Sequence, residues 1–131
     1  MMCFVFRAGV GLVVLEFGSI IWIEIADPKG VNLKKRPVIV LTRNDEIHHH
    51  SDLVVVAITG TLPDPLTDEH VLLPWHRNGR VKTGLRKRCA AVCSWLEVVP
   101  QSAVVQITGI TPAAELSEIV DRVNELRKRI Q

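Results

Sequence analysis

Two short stretches carry residue types that suit phosphate chemistry. In KKRPVIVLT (34–42) an arginine, Arg36, is locked against Pro37 at the head of an apolar run, with Lys34 and Lys35 before it. In VVVAITG (54–60) the next apolar run closes on Thr59 and Gly60. Proline biases the preceding residue toward extended geometry, which lowers the entropy cost of aiming a guanidinium. That group stays protonated and presents a planar fork matched to two phosphate oxygens. A threonine hydroxyl donates and accepts, and glycine lets a ligand backbone approach closely. Taken singly, each feature is explained by a strand start or a strand end. Together they describe a phosphate-handling site.

The charge distribution points the same way. Residues 29–43 hold five Lys/Arg and no acid, and residues 77–88 hold six and no acid. The stretch 44–76 between them holds six acids and no Lys/Arg. Eleven of the sixteen basic residues thus sit in two blocks, which the overall charge of +2 conceals. If the fold joins the blocks they form a cationic surface for a polyanion; if not, they are two solvated loops.

Other chemistry finds less support. Cys3, Cys89 and Cys93 are an odd count without a CxxC pair, which argues against disulfides and a zinc site and for a reducing cytoplasm. The run His48–His50 does not make a metal site, because three adjacent loop residues cannot all face one ion. A loop, solvated or touching a partner, is the better reading, with one imidazole as general acid–base left open. No metal and no cofactor is expected. The opening MMCFVFRAGVGLVVL lacks a basic n-region and a small-residue cleavage site and is too short to span a bilayer. Residues 1–15 read as an N-terminal extension, or as a start placed too far upstream of a domain beginning near Glu16. Residues 16–131 read as a single domain with no membrane role.

The elements that must position these residues are short strands. GSIIWIEIAD (18–27) ends on a turn at Asp27–Gly30. VIVLT (38–42) and LVVVAIT (53–59) are continuous apolar runs, as expected of strands buried on both faces. HVLLP (70–74), CAAVCSWLEVV (89–99) and VVQITG (104–109) continue the series, with turn chemistry at Asn78-Gly79 and Thr83-Gly84. From Thr111, a candidate N-cap with Pro112 at the first helical position, apolar residues recur at Leu116, Ile119, Val120, Val123, Leu126 and Ile130. The expected architecture is mainly β with a C-terminal helix (α+β): a small antiparallel barrel with the helix packed on it.

In order and spacing, GSIIWIEIADPKG, KKRPVIVLT, VVVAITG and TGLRKRCAAVCSWLEVV resemble the MazF/PemK family of toxins from type II toxin–antitoxin modules. The likeness runs from about Gly18 to the last helix. Its most specific parts are Gly18-x-Ile20-x-Trp22, Arg36-Pro37 and Ala57-Ile58-Thr59-Gly60. The resemblance implies an SH3-like barrel of MazF/PemK/CcdB type that acts in the cytoplasm. It implies a homodimeric, metal-independent, sequence-selective endoribonuclease (an mRNA interferase) held in check by a cognate antitoxin. It makes Arg36 and Thr59 catalytic, in a reaction where the ribose 2′-OH attacks the adjacent phosphate and leaves a 2′,3′-cyclic phosphate and a 5′-OH. Single-stranded RNA would then be gripped by Lys34, Lys35, Gly60, Arg80, Lys82, Thr83, Arg86 and Arg88, with Trp75 a candidate for stacking on a base. The chain carries Ser19 where the family commonly has an acid, and Val92-Cys93-Ser94-Trp95 where many members have Arg-Cys-Asp-Gln. Two alternatives stay open: a non-catalytic, CcdB-like gyrase poison of the same fold, and a degenerate member that binds without cutting.

Overall fold

A computed structural model describes residues 4–8, 11–48 and 51–130. Strands β1 (Phe4–Ala8) and β2 (Gly11–Leu15) form a separate antiparallel hairpin. The body is one antiparallel sheet of β3 (Ser19–Ile25), β4 (Lys34–Val40), β5 (Asp52–Thr59), β6 (His70–Leu72), β7 (Ala90–Pro100) and β8 (Gln106–Ile110). Their order is β6-β7-β5-β4-β3-β8. Helix α1 (Ala113–Ile130) follows. This is the expected antiparallel architecture with its terminal helix. The two edges are joined by a loop rather than by a further strand pair. In that loop Leu73 N–H donates to the Cys89 carbonyl (3.2 Å), and the Lys82 carbonyl accepts from Ile110 N–H (2.8 Å).

The continuous apolar runs are explained by a core on each side of the sheet. Ile21, Ile23, Val38, Val40, Leu53, Val55 and Ala57 fill one core. The alternate residues Ile20, Ile39, Val56 and Ile58 face the other, where Leu116, Ile119 and Val123 of α1 close over them. Each fully buried side chain of this size contributes about 1.5–3 kcal/mol relative to exposure.

Three boundaries differ from expectation. Strand β4 begins at Lys34, so Arg36 is its third residue and lies within the strand, not ahead of its mouth. Pro37 is tolerated there because the pairing with β5 reaches only Val38, beyond which β4 has β3 alone as neighbour. Strand β8 starts two residues later than the run 104–109 suggests. The helix cap moves by one: the Pro112 carbonyl accepts the first helical bond, from Leu116 N–H (2.9 Å). Thr111 N–H instead donates to the Gly18 carbonyl (2.8 Å), and its buried hydroxyl has no partner.

Candidate active site and nucleic-acid groove

The β4–β5 ladder runs Val40↔Val55, Ile39↔Val56, Val38↔Ala57 and then stops. Continued by two residues, the same register sets Arg36 opposite Thr59. Because side chains alternate along strands, both lie on the face shared by Val38 and Ala57. Pro37, with no N–H to offer, follows the last rung. Beyond it a groove of about 1020 Å³ opens, lined by Arg36 and Thr59 among others.

The groove is strongly one-signed. Its walls carry Lys34, Lys35, Arg36, Arg86 and Lys87 and no carboxylate. Among the described residues the ion pairs are Arg122–Glu118, within α1, and Arg129–Asp68, from α1 to the loop before β6, so none neutralises a groove cation. Parts of the two basic blocks are thereby joined, Lys34 to Arg36 of the first and Arg86 and Lys87 of the second. Like charges packed into a concave surface focus the potential and attract phosphates.

Arg36 is held by neutral groups. Its Nε donates to the Ile25 carbonyl (3.4 Å) and its Nη2 to the Asn32 carbonyl (3.1 Å). Its Cζ lies 5.2 Å from the ring centroid of Trp95. A guanidinium has five N–H donors; with two engaged, three remain for a ligand. Asn32 is presented by a turn organised around Asp27, whose carboxylate accepts from the Lys29 and Val31 N–H groups and the Asn32 amide. Those bonds, led by Val31, hold the Asp27 carboxyl below its usual range. Thr59 Oγ1 accepts from Thr61 N–H (3.1 Å) at the strand end. Gly60 gives room to Lys87: a Cβ there would stand 3.1 Å from the Lys87 ammonium, which therefore lies directly over the groove floor beside Thr59.

Lys34, Lys35, Arg36, Thr59, Gly60 and Arg86 of the candidate residues are brought together. Arg80, Lys82 and Arg88 are exposed but outside the groove lining. Thr83 is corrected: it is 0% exposed, and its hydroxyl donates to the Pro74 carbonyl (2.7 Å) and accepts from Leu85 N–H (3.2 Å). It braces the loop that carries Arg86 and Lys87 and presents nothing to RNA. Trp75, though 44% exposed, is also away from the groove. Lys87, Trp22 and Trp95 were not anticipated. Lys87 was legible as part of the second basic block, and Trp22, which donates its indole N–H to Thr108 Oγ1 (3.2 Å), as the end of the Gly18-x-Ile20-x-Trp22 motif; Trp95 gave no local signal as a site residue.

Ser19 and Ser94, singled out in the sequence as departures from the resemblance, both lie off the groove. Ser19 is buried and its hydroxyl accepts from Glu16 N–H (2.9 Å), while Ser94 donates to the Glu69 carboxylate (3.1 Å). Cys89 lines the groove, but burial pushes its thiol above the ordinary range, so it is no nucleophile at neutral pH. No cluster of three metal-ligating side chains occurs among the described residues. His49 and His50 lie outside those residues, as does Cys3; His48 is exposed.

A family model described as "PemK-like, MazF-like toxin of type II toxin-antitoxin system" matches residues 16–126. The chain belongs to this family. Its solved relatives agree in fold. An endoribonuclease in complex with its cognate antitoxin, from Mycobacterial species, is 12% identical, with 87% of this chain and 95% of that one covered and a TM-score of 0.67. MazF from Deinococcus radiodurans is 16% identical over 88% and 98% of the two chains, TM-score 0.66. The Mycobacterium tuberculosis toxin MazF-mt6 is 21% identical over 83% and 96%, TM-score 0.62. Among curated proteins none matches the sequence. In this PemK/MazF-type toxin no described helix is long and apolar enough to cross a membrane.

Proposed function

We propose that this toxin is a metal-independent, sequence-selective endoribonuclease that cuts single-stranded RNA in the cytoplasm and is held inactive by a cognate antitoxin. The observation that carries the reading is that Arg36 and Thr59, from neighbouring strands, line one cationic groove with no acid in its lining. The nucleophile is supplied by the substrate. The ribose 2′-oxygen attacks the phosphorus, the P–O5′ bond breaks, and the products are a 2′,3′-cyclic phosphate and a 5′-OH. The proton leaves the 2′-OH to water and another reaches the 5′-oxygen from water, since the groove walls offer no carboxylate.

What remains for the protein is positioning and charge stabilisation. The three free Arg36 N–H groups meet the extra negative charge of the pentacovalent phosphorane, and Thr59 donates to one of its oxygens. Lys34, Lys35, Arg86 and Lys87 hold the flanking phosphates. A homodimer, the arrangement implied by the sequence resemblance, would extend this groove across two subunits; sedimentation of the purified chain reads it directly.

The test is incubation of purified toxin with single-stranded RNA in excess EDTA, with end-group analysis of the fragments. Cleavage to cyclic-phosphate ends is expected, and Arg36→Ala should slow it about a hundredfold, a loss on the order of 3 kcal/mol. RNA that is bound but uncut would identify a toxin that has kept the groove and lost the chemistry. RNA neither bound nor cut would end the nuclease reading.

A further inference from the structure

Among the described residues Arg36 forms no contact ion pair; Asp27 feels its charge through space only, as the last of the influences that lower the Asp27 carboxyl. We infer that Trp95 is a positioning residue for Arg36: its indole face orients the guanidinium for the phosphate while leaving the positive charge unspent. The inference rests on the proposed nuclease function and deepens it.

The geometry follows from a fault in the sheet. Val56 of β5 pairs with Leu96 of β7, yet Ile58 pairs with Ala91. One residue of β5, Ala57, is therefore matched by four of β7, Val92 to Trp95. Such an insertion bends the strand and re-aims a side chain. Here it delivers Trp95, only 9% exposed, to the barrel end where Arg36 lies, with the guanidinium carbon 5.2 Å from the ring centroid. The indole N–H is turned to the Glu97 carboxylate at 3.4 Å, which sets the ring plane. The remaining supports of Arg36 are the carbonyls of Ile25 and Asn32.

The choice of an aromatic support has a physical consequence. A carboxylate would fix the guanidinium as well, but it would occupy the fork that a phosphate needs and cancel the charge the transition state requires. An aromatic face holds the cation through its quadrupole and leaves the N–H edge free. With Trp95 buried and Arg36 half-buried, such a contact lies between the exposed and the desolvated ends of its range.

The experiment compares Trp95→Leu, which removes the π face, with Trp95→Phe, which keeps one, in wild-type and Arg36→Ala backgrounds, with thermal unfolding recorded for each. Single-turnover cleavage should fall about tenfold in Trp95→Leu with KM nearly unchanged. Trp95→Phe should recover most of the rate, and Trp95→Leu should cost nothing further once Arg36 is alanine. The Arg36 Nε–Hε resonance should move in Trp95→Leu and stay near its wild-type position in Trp95→Phe. Equal losses from Trp95→Leu in both backgrounds, or an unmoved Arg36 resonance, would overturn the assignment by reducing Trp95 to packing. Should Trp95→Leu fail to fold, Trp95→Met takes its place. If the wild type itself leaves RNA intact, the nuclease reading falls separately, and the Arg36 resonance in the variants still decides whether Trp95 positions it.

Discussion

Thr83 offers a clear test of what holds the basic wall of the groove. Its side chain is wholly buried in the loop joining the sheet edges, and its hydroxyl serves two backbone groups at once, the Pro74 carbonyl and the Leu85 N–H. Thr83→Val keeps the shape and removes both bonds, leaving the partly buried Pro74 carbonyl and the buried Leu85 N–H unmet. Each unsatisfied group costs about 1–3 kcal/mol. Some relief comes as the loop shifts, so a total of about 3 kcal/mol is expected. For a domain of this size that corresponds to a melting temperature lower by roughly 10 °C. The assay pairs urea unfolding with binding of a short single-stranded RNA at several salt concentrations. Stability should fall while the slope of log affinity against log salt stays as it was, because no phosphate contact has been removed. A variant of unchanged stability that has lost RNA affinity would refute the reasoning and return Thr83 to the ligand.

Three further outcomes rest on the same loop, groove and core. Gly109→Ala would drive a Cβ into the carbonyls of Lys82 and Thr83, backbone atoms that cannot swing aside, and should destabilise by about 3 kcal/mol in urea unfolding. Lys87→Ala should leave stability within about 0.5 kcal/mol and lower the salt slope of RNA binding by about one unit, since its ammonium sits over Gly60 beside Thr59. Burial pushes the Cys93 thiol up to about 11 and raises that of Cys89 as well. With a folded pKa above the unfolded one, their contribution is intact below about pH 9 and is lost as pH rises from there toward 11. The urea midpoint should fall through that window, less so in Cys93→Ala, and a thiol reagent that modifies Cys93 rapidly at pH 7 in the folded protein would contradict it.

What the sequence discloses and what it hides divide along physical lines. Apolar runs such as VIVLT and LVVVAIT reveal strands buried on both faces, because burial leaves its mark residue by residue. The helix is equally plain in the recurrence of Leu116, Ile119 and Val123. Pairing register is another matter. That Arg36 and Thr59 line one groove depends on a ladder between strands separated by a loop, and no local property of either residue encodes it. Thr83 misleads for a related reason. A polar residue in a turn reads as exposed, whereas backbone bonds supplied by Pro74 and Leu85 make its burial favourable. Trp95 is hidden because its position comes from a four-for-one mismatch with β5, and regular alternation gives no warning of it. The shifted cap at Thr111 has the same origin: the Gly18 carbonyl, far off in sequence, draws its N–H into the sheet.

The groove gathers five cations that repel one another, and folding must meet that cost without cancelling the charge. Acids would be the ordinary remedy, yet the described acids that form ion pairs are Glu118 and Asp68, which meet the arginines of α1. Neutral groups do the holding instead: carbonyls of Ile25 and Asn32 and the Trp95 face for Arg36, and the bare backbone of Gly60 under Lys87. The arrangement leaves the field to an incoming polyanion, which relieves the repulsion as it binds. A ligand that binds the folded state alone must raise its stability by mass action. Low salt should therefore weaken the free protein and strengthen the RNA complex, two opposite trends that have their source in one unneutralised surface.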